Sequence, residues 1–446
     1  MQTLPLAEYA SRRRRLLDTL PEGSIAIVAG AELSPRNRDV EYYFRQDSDF
    51  YYLTGFAEPS AWLVLVPGRG EGEVVMFCQP RDPAMEIWEG YRAGPEGCMA
   101  RYGADQAFNV DELDQQLPQL LAGRQQLFYS FDSRDSVVQR IGQWLTSTRR
   151  QARSGVQAPA QVRQLDDVLH EMRLFKTPAE QQQIREAGRI TALGHRRAMT
   201  VCQPGMWEYQ LEGEILHEFS RHGSRWPAYG SIVGGGANAC VLHYINNDQR
   251  LRDGDLVLID AGCELDYYAG DVTRTFPVNG RFSAEQRAVY DIVLAAELAC
   301  IEQSRSGVGF DQLHDVSVNI LTQGLVDLGI LQGSVDGLIE QGAYRDFYMH
   351  RIGHWLGMDV HDVGSYRQQE RWRALQPGMV TTIEPGIYIN PANTRVEERW
   401  RGIGIRIEDN VLVTDAEPEV LTALAPKTVA EIEALMAEAL MAEARG

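Results

Sequence analysis

Two ten-residue segments of this chain align with each other without gaps: Asp253-Gly-Asp-Leu-Val-Leu-Ile-Asp-Ala-Gly262 and Pro377-Gly-Met-Val-Thr-Thr-Ile-Glu-Pro-Gly386. Each segment has the pattern of a turn, an apolar strand and a terminating glycine. A carboxylate, Asp260 or Glu384, lies six residues after the first glycine and two before the last. The repeat predicts a domain of two related halves, each with an acid near the carboxyl end of a strand.

A second, polar strand is expected after each of these segments. The first is Asp271-Val-Thr-Arg-Thr275 and the second is Gly404-Ile-Arg-Ile-Glu408. Because side chains alternate between the two faces of a strand, we expect Arg406 and Glu408 on one face. The pattern therefore predicts a pair of carboxylate-bearing strands in each half.

The four acids of these strands, Asp260, Asp271, Glu384 and Glu408, are expected to meet in an apolar interior. Any one of them could be satisfied by backbone donors or a salt bridge, as most buried acids are. Four together would repel one another strongly unless cations lay between them. Carboxylates with a single imidazole suit manganese, cobalt, iron or zinc, and shared carboxylates suit two ions roughly 3.5 to 4 Å apart. The sequence thus predicts a site for two divalent ions.

The imidazole is expected from the segment between His350 and Asp362. His350 and His354 have the i, i+4 spacing of a zincin helix, but Arg351 occupies the position of the required glutamate, so that motif is ruled out. The glycines of the segment favour a loop or a strand. We therefore expect His354 as the metal ligand, with His350 and His361 as hydrogen-bond donors nearby.

The order of these residues resembles that of the pita-bread metallopeptidases. The resemblance rests on the ligand order Asp260, Asp271, His354, Glu384, Glu408, on the segment His350 to Asp362, and on Glu384-Pro-Gly-Ile-Tyr388. The first half of the chain resembles the bacterial aminopeptidase P branch, at Arg36-Asn-Arg-Asp39, Tyr51-Tyr-Leu-Thr-Gly-Phe56 and Glu86-Ile-Trp-Glu-Gly-Tyr91. The similarity extends over nearly the whole chain. It implies an α/β protein, with a smaller N-terminal α/β domain followed by a C-terminal pita-bread catalytic domain, a pseudo-twofold duplicated α+β unit.

The resemblance also implies a role for each site residue. Asp260 would be a bidentate ligand of one metal ion. His354 and Glu384 would bind the second ion. Asp271 and Glu408 would bridge the two. Glu384 would also be catalytic, together with His361, His243 and Arg406. The positions around a substrate proline would be His350, Tyr229 and Trp88.

The activity that the resemblance implies is release of the N-terminal residue from peptides with proline in second position. Metal-activated water would attack the first carbonyl, and manganese is the expected metal. Proline fixes φ and lacks an N–H, so general peptidases that need that donor cannot use such peptides. The alternatives are a prolidase that cleaves Xaa-Pro dipeptides with the same ligands, and a metal-free binding protein or creatinase-like enzyme on the same fold. Arg351 departs from the family, which often carries Gly beside the pocket histidine.

A domain boundary is expected near Leu174. The composition turns small and polar between Ser154 and Ala160, and Thr177-Pro-Ala-Glu180 is a capping box that opens a long helix. The predicted domains are residues 1–174 and 175–446. The first domain is expected to serve oligomerisation and substrate enclosure in a homodimer or homotetramer, with Trp88 reaching the active site of a neighbouring subunit.

The bulk composition favours peptide partners and a cytoplasmic location. The net charge of -19 would repel nucleic acids and anionic membrane surfaces. The six cysteines are scattered without a Cys-x-x-Cys pair, which fits a reducing compartment. No apolar region follows the basic run from Arg12 to Arg15, and no uncharged stretch is long enough to span a bilayer.

Overall fold

The computed structural model describes residues 4–131 and 134–443. The chain divides into two compact units, Gln2–Met172 and Arg173–Gly446. Each unit combines helices with sheets, so the predicted α/β class is confirmed. None of the described helices is both long and apolar enough to cross a membrane.

The first unit is built on a six-stranded mixed sheet in the order β6-β5-β4-β1-β7-β8. Its helices are α1 Leu6–Thr19, α2 Ser48–Thr54, α3 Pro83–Glu89, α4 Gly94–Tyr102, α5 Leu113–Leu121, α6 Asp135–Arg150 and most of α7 Asp166–Leu174, whose last two residues belong to the second unit. Its strands are β1 Ser24–Ala29, β2 Pro35–Asn37, β3 Val40–Glu41, β4 Trp62–Leu65, β5 Val74–Cys78, β6 Gln106–Asn109, β7 Gln126–Tyr129 and β8 Gln161–Gln164. The apolar strands β1, β4 and β5 are buried at the centre, as their β-branched composition favours.

The second unit contains the repeated segments. Its helices are α8 Pro178–Val201, α9 Glu208–Arg221, α10 Ala284–Gln303, α11 Phe310–Asp327, α12 Val335–Glu340 and α13 Val429–Glu443. Its strands are β9 Trp226–Pro227, β10 Ile232–Gly235, β11 Leu256–Asp260, β12 Cys263–Leu265, β13 Tyr268–Ala269, β14 Thr273–Pro277, β15 Arg367–Gln368, β16 Arg371–Trp372, β17 Val380–Ile383, β18 Gly386–Tyr388, β19 Gly404–Arg406, β20 Asp409–Leu412 and β21 Glu419–Val420. Helix α8 begins with the predicted capping box, in which Thr177 and Glu180 bond each other's backbone N–H.

The two halves of the second unit have matching strand pairs. In the first half, β11 is antiparallel to β14, and Asp260 faces Thr273. In the second half, β17 is antiparallel to β20, and Ile383 faces Asp409. The helix pair α8 and α9 precedes the first set and the pair α10 and α11 precedes the second. Each half therefore contributes one acid at the end of an apolar strand, as the repeat predicts.

The prediction of one continuous polar strand from Gly404 to Glu408 is wrong. Strand β19 ends at Arg406 and β20 begins at Asp409, so Glu408 lies between them and pairs with Thr273 in an isolated bridge. Glu408 follows Ile407, which is fully buried, and the chain changes sheets at this point. The break gives Glu408 a position between the two halves.

Candidate active site

The acid of the first half is held by a tyrosine and an arginine. The Tyr229 hydroxyl lies 2.6 Å from Asp260 Oδ1 and also contacts Asp271 Oδ1, so its single proton is shared between the two carboxylates. On the other side of the carboxylate, Arg406 Nη2 donates to Asp260 Oδ2 at 2.7 Å. Burial disfavours the charge of Arg406, but Tyr388 and Asp260 raise its pKa. Asp260 is therefore paired with a permanent cation from the second half of the domain.

The acid of the second half has histidines instead. Glu384 follows β17 directly, and its Oε1 accepts from Thr382 Oγ1 at 3.2 Å. His354 Nε2 lies 3.5 Å from Glu384 Oε1 and 3.4 Å from Asp271 Oδ2. Because His354 Nδ1 donates to the Trp355 carbonyl at 3.0 Å, the ring presents Nε2 to both carboxylates.

Two glycines allow these chain segments to come so close together. A β-carbon at Gly262 would collide with the Gly270 carbonyl oxygen, between the two acids of the first half. A β-carbon at Gly353 would collide with the Thr382 carbonyl oxygen, beside His354. Each half thus depends on a residue without a side chain at the point where the ligand-bearing segments approach.

Glu408 completes a cluster that can hold metal. Its Oε2 accepts from Thr273 Oγ1 at 2.6 Å. Asp271, His354 and Glu408 each offer one ligand atom, and these atoms lie within 4.8 Å of one another. Asp271 and Glu408 are buried, whereas His354 is partly exposed. The cluster combines acids of both halves with one imidazole.

The charges of this cluster are poorly compensated by protein groups. Burial, followed by the charges of other acids, raises the pKa of Glu408 well above its usual range. Burial raises the pKa of Glu384 to about 7, although His354 and Arg406 oppose the shift. Burial lowers the pKa of His354, but Asp271 and Glu384 outweigh this effect and raise it to about 9. An oxygen-rich set with one imidazole and too much negative charge fits divalent cations.

A cavity of about 790 Å³ opens onto this cluster. Its wall includes every predicted site residue of the second unit: Tyr229, His243, Asp260, Asp271, His350, His354, His361, Glu384, Arg406 and Glu408. Among the predicted site residues, Trp88 belongs to the other unit, where it is on α3 and 84% exposed. The roles of all these residues stay predictions.

The segment from His350 to Asp362 contains no helix or strand, as its glycines predict. The ring of His354 contacts that of His361 at 4.3 Å between centroids. Next to His361, the buried Asp362 accepts from Arg173 Nη2 at 2.6 Å and from Lys176 Nζ at 2.8 Å. This ion pair holds the loop that carries His361 against the cavity.

Tyr388 is a site residue that the sequence analysis missed. Arg406 Nη1 donates to the Tyr388 hydroxyl at 2.9 Å, and that hydroxyl lies 2.8 Å from His350 Nε2. His350 Nδ1 donates to the Arg351 carbonyl, so Nε2 accepts the tyrosine proton. Burial, with the charge of Arg406 next in importance, lowers the pKa of His350 to about 3. The only sequence signal for this role was the position of Tyr388 in the motif that starts at Glu384.

Comparison with known proteins finds close relatives of this chain. The sequence model described as Metallopeptidase family M24 matches residues 182–415, and that of the aminopeptidase P N-terminal domain matches residues 9–129. The chain is 48% identical to the Xaa-Pro aminopeptidase of Escherichia coli (strain K12), over 98% of this chain and 99% of the relative. It is 35% identical to the human Xaa-Pro dipeptidase, over 97% of this chain and 94% of the relative. The solved structure of Pseudomonas aeruginosa aminopeptidase PepP superimposes with a TM-score of 0.98 at 52% identity, over 99% of this chain and 100% of that chain.

Proposed function

The chain belongs to metallopeptidase family M24, and from this premise we propose that it releases the N-terminal residue from peptides with proline in second position. The observation that carries the proposal is the single cavity onto which five potential metal ligands from both halves open. The 48% identity to a bacterial Xaa-Pro aminopeptidase supports the choice of substrate. The identity of 48% to that aminopeptidase, against 35% to the human dipeptidase, supports the aminopeptidase over the dipeptidase.

The ligand set supports two divalent ions. Asp260 would hold one ion, and His354 with Glu384 would hold the other. Asp271 and Glu408 would lie between them, because their carboxylates are in the cluster shared by both halves. When bound, two such ions supply activated water and polarise the scissile carbonyl. We propose manganese as the metal, because oxygen ligands with a single imidazole suit it.

The protein's own groups would orient the substrate and move the proton. Glu384 is proposed to accept the proton of the attacking water and to return it to the leaving amine. His361 and His243 line the cavity and would donate hydrogen bonds to the substrate's carbonyl oxygen as it becomes an oxyanion. Arg406 holds the Asp260 carboxylate through its 2.7 Å contact. The neutral rings of His350 and Tyr229 would contact the proline ring, and the proline nitrogen has no N–H that needs a hydrogen-bond acceptor.

Kinetics with manganese would test the substrate proposal. We expect the purified protein to cleave Ala-Pro-Leu with a higher kcat/KM than Ala-Pro. A preference for the dipeptide would favour the prolidase alternative. Ala-Ala-Leu serves as the matched control without proline, and faster cleavage of that control would contradict proline specificity. No cleavage of any peptide would favour the binding-protein or creatinase-like alternative.

Assembly into a homo-oligomer, with Trp88 completing a neighbour's active site, is also proposed. Ile87, Trp88 and Tyr91 are all strongly exposed apolar side chains of one short region, as expected for a surface that a second copy covers. Trp88→Ala should raise KM for Ala-Pro-Leu about 5- to 150-fold, consistent with roughly 1 to 3 kcal/mol of apolar contact. A fully active monomer by light scattering, or unchanged KM, would contradict this role.

A cytoplasmic location is a further proposal of the same kind. The six cysteines are all free, and five of them are buried, which suits a reducing compartment. Fractionation of the producing cell, with the protein detected by antibody, would check it.

A further inference from the structure

The cavity has one wall that the proposed reaction does not use. Trp372 and Arg351 line this wall, and the Arg351 guanidinium lies 5.3 Å from the centre of the Trp372 ring. Arg367 lies over the same ring at 4.5 Å but does not line the cavity. Arg351, Arg367 and Trp372 form a platform in which two positively charged guanidinium groups stack on an apolar indole ring. Cation–π attraction stabilises this arrangement.

The platform is fixed by a tight hairpin. Strands β15 and β16 pair Arg367 with Trp372, and the two residues between the strands, Gln369 and Glu370, both have positive φ. This is the geometry of a two-residue turn that matches the twist of its strands. The hairpin therefore holds the indole in place against the cavity.

Arg351 contributes the unpaired positive charge of this wall. Within residues 4–131 and 134–443, no carboxylate forms an ion pair with Arg351. Asp311 lines the same cavity, and Asp315 is near enough to interact electrostatically with Arg351. Arg406 also lines the cavity, but its charge is engaged by Asp260. Burial, followed by Arg351, lowers the pKa of His314 to about 4, so that ring adds no charge at neutral pH.

The position of Arg351 follows from the order of burial along the cavity. Asp271 and Glu408 are buried at its floor, His350 is partly exposed, and Arg351 is exposed at its mouth. A peptide whose first carbonyl is at these ligands and whose proline contacts His350 would extend toward the exposed Arg351, the next residue in the chain, with its third residue. This step rests on the proposed function.

We propose that Arg351 and Trp372 form a subsite for the third residue of the substrate and that this subsite favours a carboxylate there. The carboxylate can belong to an acidic side chain or to the C-terminus of a tripeptide. The guanidinium would donate to it in a bidentate manner, and the indole would contact the apolar part of the residue. This preference would depend on the guanidinium of Arg351.

Matched peptides test the two sources of the carboxylate separately. The side-chain source is measured as the ratio of kcat/KM for Ala-Pro-Glu-Ala-amide to that for Ala-Pro-Gln-Ala-amide. The C-terminal source is measured as the ratio for Ala-Pro-Gln to its amide. We expect a ratio of about 3- to 10-fold in at least one pair, decreasing with added salt because the arginine is exposed. Ratios near one in both pairs would overturn the subsite.

Four variants locate the effect. Arg351→Gln should bring the ratio to about one, and Arg351→Lys should keep part of it, since the charge stays and the planar fork is lost. Trp372→Leu should reduce the ratio without changing the charge. Arg367→Gln removes the same charge from the same ring outside the cavity, so it should keep the ratio. If Arg367→Gln reduced the ratio as much as Arg351→Gln, the preference would come from the overall positive charge of the region, and the subsite would be rejected.

The outcomes separate this inference from the proposed function. Cleavage of all four peptides without a preference for the carboxylate overturns the subsite and leaves the aminopeptidase intact. Absence of cleavage of every peptide, with metal bound, overturns the proposed function and this subsite with it.

Discussion

Asp260 and Glu384 occupy the same place in the two halves of the catalytic domain, yet their surroundings differ. Asp260 accepts from Arg406 at 2.7 Å and from Tyr229 at 2.6 Å. Among the described residues, the ion-pair partner of Glu384 is His354 at 3.5 Å, and the neutral ring of His350 lies 3.8 Å away. A permanent cation thus stabilises one acid, whereas the other is next to groups that can exchange protons. The duplication supplied two acids, and their neighbours gave them different properties.

Removal of metal should have the largest effect, because both halves share it. Dialysis against a chelator is expected to abolish peptidase activity, and added manganese should restore it. Metal content by mass spectrometry and rates with Ala-Pro-Leu check this. Full activity in a preparation shown to be metal-free would contradict the two-metal interpretation.

Glu384→Gln should show that Glu384 and Asp260 have different roles in catalysis. The change keeps the shape and one ligand oxygen but removes the proton acceptor, so kcat should fall roughly 10²- to 10⁴-fold. Asp260→Asn should instead lower metal content, because no proton transfer is assigned to Asp260. The matched control is Glu397→Gln, which makes the same change on an exposed side chain paired with Arg399. Near-normal kcat for Glu384→Gln with normal metal content would contradict the proposed role.

Arg406→Gln should remove the direct ion pair of Asp260, the acid of the first half. Loss of one partner from a buried ion pair typically costs about 3 to 5 kcal/mol of unfolding free energy. Urea unfolding of the chelated variant and wild type measures the difference. Arg395→Gln is the control, since its pair with Asp346 is exposed and should contribute about 0 to 1 kcal/mol. Equal effects of the two substitutions would refute the asymmetry.

The pH dependence of the stability of the chelated protein should reveal the titration of Glu384 and His354, the two ligands expected from the second half. Burial raises the pKa of Glu384 from 4.5 to about 7, so the folded chain keeps a proton that the unfolded chain has lost. The contribution of Glu384 to stability should therefore fall as pH rises from about 4.5 to 7, against the rise expected from His350, whose pKa burial lowers to about 3. For His354, Asp271 and Glu384 outweigh burial and raise the pKa from 6.5 to about 9, so stability should fall again over that range.

Urea midpoints at about pH 5, 7 and 9 measure this smaller effect. Glu384→Gln should remove the downward contribution of this carboxyl, so its midpoint should rise relative to that of the wild type between about pH 5 and 7. Parallel curves for the chelated variant and the chelated wild type would contradict the raised pKa of Glu384. In the metal-loaded protein the dependence should weaken or reverse, since the ligands must be deprotonated to bind metal.

The strand patterns and the position of each acid were predictable because they depend on local features. Asp260 and Glu384 end apolar runs, and the periodicity and terminal glycines of those runs are visible in the sequence. The capping box at Thr177 was predictable for the same reason. The ligand roles assigned through the family resemblance stay predictions, although the structure brings all five residues to one cavity.

Contacts between distant segments could not be predicted from these patterns. The chain changes sheets at Glu408, so a pattern of alternation predicted one strand where there are two. Arg406 is 146 residues from Asp260 along the chain, and Tyr388 joins Arg406 to His350 through one hydroxyl. No periodicity records such pairs, because they depend on how the sheets pack.

The sequence by itself determined the acids and the two apolar strands that end at Asp260 and before Glu384, since local hydrophobic pattern and turn chemistry specify these features. Only the tertiary structure decided which acid received a cation. The charge of a buried carboxylate depends on the few ångströms around it, and in this domain those neighbours come from the opposite half. The same holds for Arg351, because only the tertiary structure shows that the hairpin places Trp372 against its guanidinium.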